Sequence, residues 1–407
     1  MKTNCYRFIP QLFLGNGSKL FLPKIAQTVA KAISAAGLLV VIQSPCHGQI
    51  SNSFNFNGTS RQNQIDILGF SFIPPDTMGA MGTTQYLETT NGLNTIYNRS
   101  DGSILSRVNS DTFWQNRGQN GSGGDQRVLF DINANRWVAT GFDDTQTRVV
   151  IGVSDTSDAL GNWRTTSISV PTLTATNIPD YATLGIDDKA IYIGTNNFDP
   201  DYVNSGLFVM PRATLFGLPS TGNNVLLQTD FTYLQPAPNH FTLQAPVNWG
   251  TNSDNQTLVL SQKIANPSGL GGFNISNVAN AGAASSTFTG DIAGLATYDL
   301  NNPDARQPEN VQIEVDTLDA RISANVYEVN GKVYGVHTVT VTGQTNTSLE
   351  WFVIDASTGL RIDSGIIGNP NYDYFQGTIA VNDFGEAVIS YNRSGSSSTD
   401  GQISIMA

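Results

Sequence analysis

The stretch Gly124-Asp125-Gln126-Arg127-Val128-Leu129-Phe130-Asp131, continuing as INANRWVATGF to Phe142, holds a whole structural unit. Asp125 leads into an apolar run, the segment Asp131 to Asn135 turns the chain, and Trp137 to Phe142 returns as a second strand. Asp and Asn suit the reversal because they tolerate left-handed backbone and bond to their own main chain. The pattern recurs as PDYATLGIDDKAIYIGTN from Pro179, LDARISANVYEVNGKVYGVHT from Leu318 and YFQGTIAVNDFGEAVISYN from Tyr374, with weaker copies from Pro74 and Pro238. A unit returning every roughly 50 to 75 residues marks radial repetition of small sheets. The expected fold is all-β, a β-propeller with six recognisable four-stranded blades.

Strand signals alternate through the rest of the chain, as in Arg148 to Val153 and Leu349 to Ile354, and helical signals are nearly absent. In such a ring the apolar residues Val128, Leu129, Phe130, Trp137 and Val138 should pack between neighbouring blades. Burying each is worth about 1.5 to 3 kcal/mol. The Gly/Asn-rich stretches Arg117 to Asp125 and Asn266 to Gly290 are expected as loops, and residues 49–73 as a polar arm with a strand at Ile65 to Phe72. The propeller then occupies residues 74–407. The last copy supplies only three strand candidates, so either the arm closes a six-bladed ring or the parent fold carries a further blade.

The N-terminus differs from everything after it. Five basic residues, Lys2 to Lys31, precede the first acid at Asp66, and the apolar run Ala32 to Ile42 is followed by QSPCHG. These are the marks of a secretory signal peptide over residues 1–48. The run is short for a bilayer core of about 30 Å. Pro45 disfavours a lipoprotein reading at Cys46. The mature chain would be cysteine-free, with 16 basic against 33 acidic residues and a net charge of −17. Its stability then rests on the core without disulfides. With three lysines left (Lys189, Lys263 and Lys332), nucleic acid and anionic lipid are excluded as partners. A secreted or cell-surface monomer with no membrane span after cleavage is expected.

Several short motifs in fixed order carry a resemblance. They are Pro74 to Gly82 with Tyr86 and Thr89 to Gly92, Thr112-Phe113-Trp114, Gly124 to Asp131 with Arg136-Trp137, and Ser154 to Trp163. Pro179-Asp180-Tyr181, Pro238 to Phe241, Ser286 to Gly290 and Leu318 to Arg321 continue the series. From about Pro74 onward the chain resembles a large group of secreted bacterial β-propeller proteins of sialidase-like architecture, often joined to surface-sorting or adhesion modules. The resemblance implies a seven-bladed parent whose last blade is missing or incomplete here. It carries no activity over.

Candidate chemistry gathers where the inner strands begin. Asp76, Asp125, Asp180 and Asp319 lead their units, with Arg127 and Arg321 two residues after two of them, and Tyr181 and His240 alongside. Residues i and i+2 share a strand face, so Asp125/Arg127 and Asp319/Arg321 are expected as local ion pairs. One reading is a polar ring at the channel mouth that binds a glycan or a protein. The other, preferred for a repeated residue, is that the Asp side chains accept backbone N–H groups from a neighbouring loop and fix blade registry.

Two histidines without cysteine argue against zinc in the mature chain. Asp199, Asp201, Asp299 and Asp304 are the weak candidates for calcium, the one cofactor whose oxygen ligands this composition offers. No catalytic residue is assigned. A sialidase-like glycoside hydrolase with its site at the channel mouth is the alternative function. The segment Ser157 to Trp163 resembles the sialidase Asp-box, a structural turn, and Glu350 and Glu386 read as solvent-facing strand positions.

Overall fold

The computed structural model describes residues 55–407, other than 122–123, 172–177, 221–222, 228, 237–239, 252–255, 264–269, 284–285, 293–297, 300, 309–313 and 342. The proposed leader, with both cysteines, lies outside the described residues.

Six sheets follow one another along the chain as the blades of a propeller. Blade 1 comprises Met78–Met81, Gln85–Thr90, Leu93–Asn98 and Ile104–Asn109. Blade 2 comprises Arg127–Asp131, Arg136–Phe142, Arg148–Ser154 and Trp163–Ser169, with Asn223–Asn224 added in parallel at its edge. In blade 3, Ile178–Asp180 and Gly185–Ile186 both pair with Ala190–Asp199, and Asp201–Pro211 and Thr232–Leu234 follow. Blade 4 holds His240–Gln244, Gln256–Lys263, Leu270–Ala279 and Thr287–Ile292, and Tyr298–Asp299 also pairs with its third strand. Blade 5 holds Tyr327–Val329, Lys332–Thr340, Thr347–Asp355 and Arg361–Ile367. Blade 6 has three strands, Asp373–Val381, Ala387–Ser394 and Ser404–Met406.

Alternation divides each sheet between two neighbours. In blade 2, Val128, Phe130 and Trp137 pack with Leu87 and Ile96 of blade 1, while Leu129 and Val138 pack with Ile191 and Phe208 of blade 3. Further clusters join blades 3 and 4 through Tyr192, Leu207, Leu243 and Val259, and blades 4 and 5 through Leu260, Phe273 and Phe352. Tyr334, Leu349 and Ile379 join blades 5 and 6. Blade 6 buries one face in this way. On the other, Thr378, Ala380 and Val388 are exposed. Near the axis, consecutive inner segments bridge in parallel: the Val247 N–H donates to Val326 O at 2.8 Å and the Asn248 N–H to Ile186 O at 2.8 Å.

Each blade carries one non-glycine residue of positive φ in the approach to its inner strand or at an irregularity within it. These are Asp76 (44°), Asp125 (48°), Tyr181 (53°), Thr242 (56°), Leu318 (60°) and Gln376 (50°). In four blades the N–H of that residue is given to a side chain of the preceding blade. Asp125 donates to Asn91 Oδ1 (2.9 Å), Tyr181 to Asp125 Oδ2 (3.0 Å), Thr242 to Asn196 Oδ1 (2.8 Å) and Gln376 to Thr338 Oγ1 (3.0 Å). Left-handed backbone costs a non-glycine residue about 1 to 2 kcal/mol. A buried N–H that finds its acceptor only in this conformation offsets that cost.

Three expectations change. The arm carries a helix at Arg61–Leu68 (α1) where a strand was expected at Ile65 to Phe72, because Ser60 and Asn63 form a reciprocal capping box and Gly69 closes the end with φ 83°. Gln64 then pins α1 to blade 1 through Asn91 O (2.8 Å), and Phe56 lies against Tyr86 and Tyr97. The expected loop from Asn266 to Gly290 instead supplies strands, because Leu270–Ala279 pairs along all of Gln256–Lys263. Glu350 is not a bare surface position: it accepts from His337 Nε2 at 3.1 Å and Arg361 Nη1 at 3.0 Å.

Candidate functional site at the channel mouth

Polar residues beside the positive-φ positions Asp76, Asp125, Tyr181 and Leu318 converge from several blades. Arg127 occupies the middle. Its Nε donates to Ala182 O of blade 3 at 2.7 Å, and its Nη1 reaches Ser323 O, on the approach to blade 5, at 3.1 Å and Met78 Sδ of blade 1 at 3.2 Å. It is 5% exposed, so its guanidinium acts as a cross-brace over the axis. The expected Asp125/Arg127 ion pair is therefore replaced by carbonyl bonds, because both partners are drawn to neighbouring blades. The Asp319/Arg321 pair forms as expected, in a two-pronged contact of 2.8 Å (Nε to Oδ1) and 2.6 Å (Nη2 to Oδ2). Arg321 also lies over Tyr181 at 4.5 Å and Phe241 at 4.7 Å, and Arg127 over Tyr181 at 5.1 Å. Asp319, Tyr181 and Asp180 outweigh the cost of burial and hold the Arg321 charge more firmly than usual.

Outside this brace three carboxyl groups form a chain. Asp76 and Asp180 each hydrogen-bond to Asp125, and all three are partly exposed. Burial, then the bond to Asp125 and its charge, pushes Asp76 up to about 6, against the pull of Asn91 and Arg127. The same causes push Asp180 up to about 7, against the Tyr181 N–H and Arg321. Two carboxyls in contact share a proton because both cannot ionise cheaply side by side. Near neutral pH the rim therefore offers O–H donors and carboxylate acceptors together. Burial also raises the Tyr181 hydroxyl above its ordinary range.

Seven of the eight predicted site residues thus meet here: Asp76, Asp125, Arg127, Asp180, Tyr181, Asp319 and Arg321. His240 does not. It is 2% exposed, with Nδ1 on Ser261 Oγ at 2.8 Å, inside blade 4. Sequence reasoning missed Asn91, which donates to Asp76 Oδ2 at 2.7 Å while accepting the Asp125 N–H, and Phe241, the apolar bed of Arg321. Nothing in the sequence directs the Asn91 side chain both to Asp76 at the head of its own blade and to Asp125 at the head of the next.

The calcium candidates are dispersed. Asp199 and Asp201 oppose each other at an exposed hairpin end, Asp304 lies on another exposed segment, and Asp299 pairs through its backbone with Leu270. Among the described residues no group of three or more His, Cys, Asp or Glu side chains is placed to hold a metal ion. The Asp-box-like segment is a hairpin turn between Ser154 and Trp163. Asp158 Oδ1 accepts the Leu160 N–H (3.0 Å) and Gln85 Nε2 (2.8 Å), tying the turn to blade 1. No helix among the described residues is long and apolar enough to cross a membrane.

No family model and no curated protein matches this sequence. Solved structures do resemble the fold. An alpha-L-arabinofuranosidase of Fusarium graminearum aligns at TM-score 0.43 and 10% identity, over 82% of this chain and 94% of that one. A neuraminidase-like protein of the isolate A/little yellow-shouldered bat/Guatemala aligns at 0.40 and 9%, over 81% and 92%. Hydrazine synthase of Kuenenia stuttgartiensis aligns at 0.43 and 7%, over 79% and 77%. Likenesses this distant carry no functional argument, and the propeller stands on its own six sheets.

Proposed function

We propose that this chain is an exported β-propeller that binds, without cleaving it, a hydroxyl-rich glycan at the carboxyl rim of its channel mouth. One observation carries the reading: the carboxyl groups of Asp76, Asp125 and Asp180, each leading a different blade, lie together and partly exposed at the channel mouth. Hydroxyl groups donate and accept at once, and such a rim answers both needs. Export rests on the basic, then apolar, then small-residue pattern of residues 1–48.

The hydrolase reading draws on the same cluster, since carboxylates and arginines from different blades meet there. Two features weigh against it. Glycosidase carboxylates flank a space of about 5 to 10 Å, whereas these bond to one another. The arginines are already engaged, Arg127 by the carbonyls of Ala182 and Ser323 and Arg321 by Asp319. Three glutamates are engaged by other side chains: Glu88 is held by Thr59 and Tyr97, Glu350 by His337 and Arg361, and Glu386 by Asn382.

A glycan array probed with the mature protein at pH 6 tests the proposal. Binding to neutral glycans that falls at least tenfold in Asp180→Asn or Asp125→Asn is expected, with no sugar released. Failure to retain any glycan, or release of free sugar, would overturn it.

A further inference from the structure

His337 lies in the core between blades 4 and 5, on the second strand of blade 5, with none of its side chain exposed. Its ring meets Phe273 of blade 4 edge-on at 4.6 Å and Phe352 of its own blade at 6.1 Å. Both ring nitrogens face oxygen. Nδ1 is 2.9 Å from Ala320 O, and Nε2 is 3.1 Å from Oε2 of Glu350, the residue directly opposite on the third strand. Behind Glu350, Arg361 of the outer strand donates to the other carboxylate oxygen at 3.0 Å. A polar line thus crosses blade 5 from its outer strand to the segment Asp319-Ala320-Arg321 at the channel mouth.

The two acceptors fix where the protons sit. A backbone carbonyl can only accept, so Nδ1 must carry a hydrogen to bond Ala320 O. An ionised carboxylate likewise only accepts, so Nε2 must carry one as well. Against the cost of burial, the His337 bond and the charges of His337 and Arg361 hold the Glu350 carboxyl below its ordinary range, which keeps it ionised. A neutral imidazole has one N–H and would leave a lone pair against the second oxygen. Only the imidazolium satisfies both. The neighbouring elements leave Glu350 as the ring's acidic partner among the described side chains. Leu270–Ala279 of blade 4 contains no charged residue, Asp355 and Glu328 lie opposite Lys332 and Val333 towards the far end of the sheet, and Asp319 is bonded to Arg321. The short strand Tyr298–Asp299 also lies beside this strand, held by backbone pairing to Leu270 and Gly271.

We infer that His337 is a proton-dependent latch on the channel mouth. Doubly protonated, it ties Ala320, and with it the Asp319/Arg321 pair, to the side chains of Glu350 and Arg361 through charge-assisted bonds. As pH rises and one proton leaves, a ring lone pair is set against an oxygen, and either the Ala320 tether or the Glu350 bond gives way. Arg321 meets Tyr181 and Phe241 at the mouth, so release of Ala320 loosens the place assigned to the glycan. That consequence rests on the glycan reading; the latch itself does not.

The test is nitrogen NMR of the mature protein labelled at histidine, whose imidazoles are those of His240 and His337. At pH 5.5 both His337 nitrogens are expected in the protonated range. As pH rises one should lose its proton, and the Ala320 carbonyl should shift in step. That carbonyl is read in protein labelled at alanine carbonyl carbon and arginine nitrogen, where Ala305-Arg306 is the other Ala-Arg pair and serves as reference. Glu350→Gln turns one acceptor into an amide donor, so a neutral ring can donate to Ala320 O and accept from the new amide. In that variant the Ala320 signal should stay fixed as the ring titrates. Neutral-glycan binding should weaken several-fold from pH 6 to pH 8 in the parent protein and by less in Glu350→Gln. A neutral His337 at pH 5.5, an Ala320 carbonyl that ignores the ring, or an equal carbonyl shift in Glu350→Gln would each overturn the inference. The expected signals with no glycan bound would uphold the latch and overturn the channel-mouth reading.

Discussion

Gln376 isolates the cost of the left-handed kink, because its side chain is exposed while its backbone N–H is committed to Thr338. Gln376→Val places a β-branched residue at φ 50° and should lower stability by about 1 to 2 kcal/mol relative to Gln376→Gly in urea unfolding. The carboxyl chain gives a second expectation, in pH. Asp76 and Asp180 bind their protons more tightly folded, at about 6 and about 7, than at the ordinary 3.8. Their contribution is thus complete below the unfolded value and is lost as pH rises through 6 and then 7. The melting temperature should fall between pH 5.5 and 8. Asp125→Asn, which keeps a hydrogen-bonding amide but removes the shared charge, should flatten that slope. A melting temperature that rises over the interval in the parent protein would contradict the assignment.

At the level of elements, α1 and the arm depend on few anchors. Glu88 accepts the Thr59 N–H at 2.8 Å and the Tyr97 hydroxyl at 2.8 Å. Glu88→Ala should free the arm, seen as faster proteolysis between residues 55 and 70 with the blades still folded. The capping box of α1 is worth about 1 kcal/mol, so Ser60→Ala should raise hydrogen exchange in the same segment only. These elements also show what the sequence could reveal. Paired strands around Asp131 and Asp187 were legible because apolar alternation and Asx turns are local signals, with Asp131 Oδ1 accepting from Asn133 and Ala134, and Asp187 Oδ1 from Lys189 and Ala190. Convergence of the leading Asp residues was legible from their place in the repeat. The commitment of Arg127 to Ser323, 196 residues away, was not, since ring closure alone decides it. The helix at Ser60 to Gly69 was missed because its sequence lacks an apolar period, and its caps were the remaining clue.

Across the whole molecule, stability is shared among five interblade cores joined by a few polar ties. Asp373 is the tie between blade 6 and the approach to blade 5: it accepts from the Arg306 N–H at 3.0 Å, Arg306 Nε at 2.7 Å and the Thr347 N–H at 3.1 Å, and is 1% exposed. Asp373→Ala leaves these donors without their acceptor and should cost about 3 kcal/mol. Hydrogen exchange should rise first in Asp373 to Met406, ahead of blades 1 to 4, because blade 6 has only one buried face. The kinks at the heads of the blades have a consequence for how the ring comes together. Where the tie exists, the donor belongs to the later blade and the acceptor to the earlier one, as with Asn91 for Asp125 and Asn196 for Thr242. A nascent chain emerging from the ribosome thus presents each acceptor before its donor is made. Assembly can proceed in the direction of synthesis, every finished blade serving as the template on which the next one sets its phase.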